Sequence, residues 1–312
     1  MEFDLYIAIA GLIVGFTVGL TGMGGGALMT PILVLFFNVQ PLAAVSSDLV
    51  ASMIMKPVGS AVHMRRGTVN KELVKWLVIG SVPSAFVGVL ILKALGDGEV
   101  MQNRIKVALG IALIVAASSI VAKSFVALKH WTHDRALIQA GGSPIKPGPI
   151  KVRPIPTILV GVAGGIVVGM TSVGSGSLII VALMVLYPTL RAGQLVGTDL
   201  VQAVPLVAAA SIGHLLMGDF QLGLTTSLLV GAIPGVYVGA RISSVAPSGL
   251  VRRALVLVLL ASGLKLIGVE TVTLGYILVA LVIAGPALWM VARRSTGLPA
   301  RPKDLKDLIG VR

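Results

Sequence analysis

The sequence contains no cysteine in its 312 residues. That excludes disulfides, thiol catalysis and cysteine-bound metals, and leaves the compartment open. Charge is scarce as well: Asp, Glu, Lys and Arg together make up 12% of the chain, against 56% apolar residues, and mean hydropathy is +0.99. No stretch is long and polar enough for a water-soluble domain, so the chain reads as one membrane domain with a short loop and tail. There is no HExxH sequence and no carboxylate cluster, so neither a metal nor another cofactor is expected. A Walker-type GxxxxGK[ST] sequence is missing too, which argues against ATP hydrolysis. The start, Met1-Glu2-Phe3-Asp4, lacks the basic region of a cleaved signal peptide. The first apolar segment is therefore expected to be retained.

The net charge of +13 does not imply a nucleic-acid partner. Most of the basic residues sit beside apolar spans, where orientation signals belong. Glycine, by contrast, is abundant at 38 residues, which suits close helix packing in lipid.

One stretch occurs twice. Residues 11–28 read GLIVGFTVGLTGMGGGAL and residues 161–178 read GVAGGIVVGMTSVGSGSL. Gly11, Gly15 and Gly19 recur as Gly161, Gly165 and Gly169, a constant offset of 150. Further on the offset becomes 151: Ser47-Asp48 matches Thr198-Asp199, His63 matches His214, Gly67 matches Gly218, Pro83 matches Pro234 and Gly88 matches Gly239. So many matches in one register identify an internal duplication.

Each glycine stripe runs into a break, Thr21-Gly22-Met23-Gly24-Gly25-Gly26 in the first half and Thr171-Ser172-Val173-Gly174-Ser175-Gly176 in the second. Irregular backbone at membrane depth is tolerated only when buried in protein or lining a wet cavity. Paired breaks at corresponding places in two halves point to a transporter's binding site.

Apolar runs fall at 5–20, 27–37, 42–62, 76–95, 105–122, 157–170, 177–187, 192–216, 222–243, 252–268 and 271–292. The runs at 27–37 and 177–187 are too short to span alone. If each broken unit (5–37 and 157–187) is a re-entrant hairpin and the N-terminus lies outside, twenty Lys and Arg fall on the cytoplasmic side and three opposite. Reading each unit as one kinked span leaves ten inside and thirteen outside. The positive-inside bias selects hairpins. The expected fold is thus an all-α polytopic membrane protein with an inverted repeat, seven full spans and two re-entrant hairpins broken at glycine-rich loops. The first repeat covers 1–129, a Pro/Gly-rich cytoplasmic linker 130–156, the second repeat 157–292 and a basic cytoplasmic tail 293–312. The span 271–292 has no counterpart in the first half.

A helix N-terminus carries unpaired N–H groups and roughly half a positive charge. The amides of Gly24, Gly25, Gly26, Gly174 and Gly176, with the hydroxyls of Thr21, Thr171, Ser172 and Ser175, are expected to cradle a small anion. The alternative for glycine is tight helix packing, the expected role of the stripes. Asp48 and Asp199, next to Ser47 and Thr198, are intramembrane carboxylates and so functional candidates. They are expected to organise the site or to couple H+ or Na+; an acceptor role for hairpin amides stays open beside these. Lys56 lies eight residues past Asp48 and has no basic counterpart in the second half. It is either a counter-charge for an anion or a partner of Asp48. His63 and His214 precede turn glycines, and capping of terminal carbonyls is their expected role.

The residues GxGGGxxxxPxL at Gly22–Leu33, AVSSD at Ala44–Asp48, Lys56 and HxxxG at His63–Gly67 resemble the sulfite exporter TauE/SafE family, also called the 4-toluene sulfonate uptake permeases. The second half echoes it with VGTDL at Val196–Leu200, His214 and LLVGAIPGVYVGA at Leu228–Ala240. The resemblance implies a secondary permease, not an enzyme, in the inner membrane. Its cargo would be small sulfur-containing anions such as sulfite, sulfonates or sulfoacetate-like acids, and a homodimer stays open. The second break, TSVGSGS, departs from the GGG run, so the two half-sites are expected to bind unequally. An anion channel and a membrane scaffold without a solute are the competing readings.

Overall fold

The computed structural model describes residues 4–21, 25–94, 98–139, 150–190, 192–217, 220–242 and 248–295. Among these the regular structure is helical throughout: α1 Leu5–Thr21, α2 Gly26–Phe36, α3 Pro41–Arg65, α4 Lys71–Ala94, α5 Gly98–Gln139, α6 Pro154–Thr171, α7 Leu178–Leu186, α8 Ala192–Met217, α9 Leu222–Ile242, α10 Ser248–Leu266 and α11 Thr271–Ser295. Segments of seven of them (α3, α4, α5, α6, α8, α9 and α11) are long and apolar enough to cross a membrane. The protein is a polytopic all-α membrane protein.

Local chemistry places the ends. Asp4 caps α1, its carboxylate accepting the N–H groups of Tyr6 and Ile7 at 2.7 and 3.2 Å. Pro41 and Pro154 open α3 and α6, where the missing N–H costs nothing. Gly67 follows α3 and Gly268 follows α10 at φ 64° and 96°, left-handed positions that favour glycine.

Three features differ from expectation. Helix α6 starts at Pro154 rather than 157 and, at 18 residues, is itself long enough to cross. Helix α10, expected as a full span at 252–268, is not among the seven; its 19 residues include Arg252, Arg253 and Lys265. Helix α5 runs 42 residues to Gln139, ten residues into the stretch expected to be a partly extended linker. No glycine or proline occurs between Gly110 and Gly141 to interrupt the helix. Most of the rest of that linker, Arg191, Gly218 and most of the basic tail lie outside the described residues.

The halves exchange partners. α1 lies along α9, and α6 lies along α4. The glycine stripes bring main chain onto main chain: a Cβ on Gly11 would stand 2.6 Å from the carbonyl oxygen of Leu228, and one on Gly161 would stand 2.5 Å from that of Leu77. The opposite faces reciprocate, with a Cβ on Gly88 falling 2.6 Å from the Ile166 carbonyl oxygen and one on Gly239 colliding with that of Phe16. These contacts map onto each other under the sequence offsets. Gly11 corresponds to Gly161, Leu228 to Leu77, Gly88 to Gly239 and Phe16 to Ile166. Two apolar clusters result. One joins α1 and α2 to α9 and α10, the other joins α6 and α7 to α4 and α8, and α3 and α5 contribute to both. Helix α11 lies at the edge, touching α10 and meeting Phe125 of α5 through Trp289, and no residue of its 271–291 segment is fully buried.

Overpacked contacts typically cost about 1–3 kcal/mol. Gly88→Val is therefore expected to lower the melting temperature in detergent by several degrees and to broaden the gel-filtration peak. Gly275→Ala on α11, where nothing lies within 4 Å, should leave both unchanged.

Candidate functional site

Both breaks are real. α1 stops at Thr21 and α2 starts at Gly26, while α6 stops at Thr171 and α7 starts at Leu178. At about 1.5 Å per residue, α2 and α7 reach only ~16 and ~14 Å, well short of a bilayer core. The second break is described completely. Ser172 takes the left-handed conformation at φ 58°, and Gly174 and Gly176 follow at 133° and 95°. The break thus places its glycines where a side chain would be strained. Gly22 holds the position equivalent to Ser172 in the first half.

The breaks touch. Gly26 packs so closely on Ser172 that a Cβ would overlap the Ser172 carbonyl oxygen and stand 2.7 Å from its Oγ. Around this contact lie three buried charged side chains from α3 and α8, namely Asp48, Lys56 and Asp199. Asp48 Oδ2 accepts from Ser172 Oγ at 2.7 Å and from Thr30 Oγ1 of α2 at 3.0 Å, so one carboxylate ties α3 to both broken units. Lys56 Nζ donates to Ser175 Oγ at 2.6 Å, and the carboxylates of Asp199 and Asp48 act on it electrostatically. Asp199 Oδ1 accepts from Gln202 Nε2 at 3.1 Å, and the backbone N–H of Gly176 faces the same carboxylate. Ser81 Oγ of α4 donates to Gln202 Oε1 at 3.3 Å. The position equivalent to Lys56 is Val207, which is buried in the second apolar cluster.

Several expected site residues come together here: Gly25, Gly26, Asp48, Lys56, Ser172, Ser175, Gly176 and Asp199. Others have different work. The N–H groups of Ser177, Leu178 and Ile179 all converge on the Gly174 carbonyl oxygen at 3.1–3.5 Å. The start of α7 is therefore closed by its own backbone, not left as a row of free donors as expected, and Gly174 contributes a carbonyl to that cap. Thr171 Oγ1 donates to the Val167 carbonyl at 2.6 Å and accepts from the Val173 N–H, so its hydroxyl serves the helix end. Thr198 Oγ1 accepts the Asn70 N–H at 3.0 Å, bracing the α3–α4 turn. Ser47 Oγ is buried without a hydrogen-bond partner. Gly24 and the side chain of Thr21 lie outside the described residues.

His214 corrects its expected role in detail. It caps a helix, but not its own: the ring Nε2 meets the Gly169 carbonyl in the last turn of α6 at 2.8 Å, and Nδ1 meets Ser46 Oγ of α3 at 2.8 Å. A carbonyl cannot donate, so Nε2 carries the proton. The ring thus pins the tip of α6 to α3 and α8. His63, less buried, bonds Thr68 Oγ1 beyond the turn at 2.9 Å.

Thr30, Gln202 and Ser46 were not singled out from sequence. A signal existed for Gln202, an amide three residues after Asp199 in an apolar run, where both fall on one helix face. The roles of Thr30 and Ser46 depend on partners in other helices, and no spacing in the chain encodes them.

The model of the sulfite exporter TauE/SafE family matches residues 7–266, which include both breaks and all three buried charged residues. The chain belongs to that family. "Probable membrane transporter protein YjnA" of Bacillus subtilis (strain 168) is 40% identical over 262 residues, covering 84% of this chain and 98% of the relative. "Probable membrane transporter protein YdhB" of the same organism is 23% identical over 273 residues, 84% of this chain and all of the relative. No solved structure matches. The TauE/SafE match ends at α10, so α11 lies outside it.

Removing the His214 ring strands a buried carbonyl, a loss of about 1–3 kcal/mol. His214→Ala is expected to lower the melting temperature clearly. His214→Gln, which can still offer an N–H to Gly169, should recover part of the loss in the same melt.

Proposed function

We propose that this TauE/SafE protein is a secondary permease for a small sulfur-containing anion, sulfite or an organic sulfonate, held between the two breaks. The observation that carries the reading is the meeting of Gly26 with Ser172 beside the buried Lys56–Ser175 contact. A buried ammonium whose hydrogen-bond partner is a neutral hydroxyl is a counter-charge that an anion can engage. The hydroxyls of Ser172 and Ser175, the amide of Gly176 and the main chain around Gly25–Gly26 supply further donors at the same place.

In this reading α1–α2 and α6–α7 are re-entrant hairpins of an inverted repeat, entering from opposite faces, with the N-terminus outside and the linker and tail in the cytoplasm. The distribution of Lys and Arg supports that orientation, and the partner exchange of α1 with α9 and α6 with α4 supports the two-fold relation. In the conformation described, the protein's own carboxylates hold donors the substrate would need: Asp48 holds Ser172, and Asp199 faces Gly176. The substrate displaces resident anions from these donors. Alternating access then follows from rocking one half against the other around the breaks.

The test is a thermal-shift screen of the purified protein across sulfite, sulfate, thiosulfate, sulfonates and carboxylates, followed by flux in proteoliposomes. A sulfur oxyanion or sulfonate is expected to raise the melting temperature. Lys56→Ala should weaken that anion by about tenfold or more, worth ~1.4 kcal/mol or above. Unchanged affinity in a folded Lys56→Ala protein removes Lys56 from the site, and no stabilisation by any anion removes the reading.

A further inference from the structure

The site uses only one oxygen of Asp48. Oδ2 accepts from Ser172 and Thr30, whereas Oδ1 is buried with no hydrogen-bond partner. A Cβ placed on Gly25 would stand 3.6 Å from Oδ1, 3.9 Å from Ser52 Oγ and 3.5 Å from Met55 Cε, so these groups border one small space. Leaving a carboxylate oxygen unpaired away from water is costly. Either a cation or a proton would relieve it. A hard cation gathers several oxygens. This space offers one hydroxyl and main chain beside a methyl, and the described residues hold no cluster of three acidic or histidine side chains. The geometry fits a proton and not a metal ion.

We propose that Asp48 takes up a proton on Oδ1 as the substrate anion enters, so that anion and proton travel together. This rests on the anion-permease reading. The balance is simple: a water-borne proton bonds to Oδ1 on the side where the anion enters, and leaves for water on the other. Two physical effects couple the steps. An ionised Asp48 repels the incoming anion, and protonation removes that repulsion. A neutral carboxyl is also a weaker acceptor, so Ser172 Oγ–H is released to the anion. Ser52 Oγ, one turn further along α3, borders the same space.

The charged surroundings are few. Lys56 on α3 itself acts on Asp48. Helix α8 contributes Asp199, which acts on Lys56, and His214, which bonds Ser46 two residues before Asp48. Helix α5 contributes Lys123, which acts on Asp199. Helix α2 has no titratable side chain, the second break offers only Ser172 and Ser175 hydroxyls, and α9 carries Tyr237 and, in its last turn, Arg241. Lys56 is thus the one charge shared between Asp48 and Asp199, and an arriving anion competes with both for it.

The experiment is titration calorimetry of the full chain near neutral pH, in two buffers of different ionisation enthalpy. Methanesulfonate and sulfoacetate serve as titrants, since their sulfonate groups stay ionised. The wild type is expected to take up about one proton per anion bound, the linkage signature of a group that titrates with binding. Asp48→Asn should lose that uptake, whatever its affinity. Infrared difference spectra of the wild type should gain a protonated-carboxyl C=O band on anion addition, shifted in Asp48→Glu; this arm decides if Asp48→Asn does not fold. Binding without proton uptake, uptake that survives in Asp48→Asn, or no carboxyl band overturns the proton inference and leaves the permease standing. A wild type stabilised by none of the screened anions overturns both.

Discussion

Contact of backbone with backbone across the two halves is the constraint on which this architecture rests. Carbonyl oxygens of Leu228 and Leu77 sit where side chains of Gly11 and Gly161 would otherwise be, and those approaches need glycine on at least one surface. In lipid there is no water to expel from between helices, so association relies on such close approach. Because α1 is committed to α9 and α6 to α4, neither half can close a core on its own. The exchange also delivers the two breaks to one place.

That place is polar in a protein with few polar residues to spend. Asp48, Asp199, Lys56, Gln202, His214 and a set of serines and threonines are buried together among the broken ends of α1, α2, α6 and α7. Some of these groups secure geometry. His214 fixes the end of α6, and Thr198 braces the turn before α4. Others are held by partners that an anion would replace in the reading proposed above. The distinction is visible atom by atom: Thr171 spends its hydroxyl on its own helix end, whereas Ser172, the next residue, presents its hydroxyl across the interface to Asp48.

Much of the fold was legible in the chain, and for identifiable reasons. Duplicated glycines and prolines mark positions where only certain backbones fit, so their register marked the duplicated stretches and the breaks. The packing role of the stripes and the prominence of Asp48, Asp199 and Lys56 followed from the same logic of scarcity. What escaped was pairwise. Nothing in the sequence tells that His214 reaches Gly169 and not a carbonyl of α8, or that Gly174 turns its carbonyl onto the first amides of α7. The length of α5 was missed for a different reason: hydropathy falls where the apolar run ends, but nothing in the next residues to Gln139 interrupts a helix.

The replacement of Lys56 by Val207 at the related position has an effect on the cycle as a whole. A backbone built from two similar halves can exchange their shapes and so offer outward and inward states related by a two-fold rotation. A lone ammonium cannot be exchanged in that way. In the proposed cycle it would face the guest from one half only, so the two sides of the site would not be equivalent even where their helices correspond. For a permease of the kind proposed, that inequality would give the two faces different apparent affinities for the same cargo, while the gradients across the membrane keep the direction of net transport.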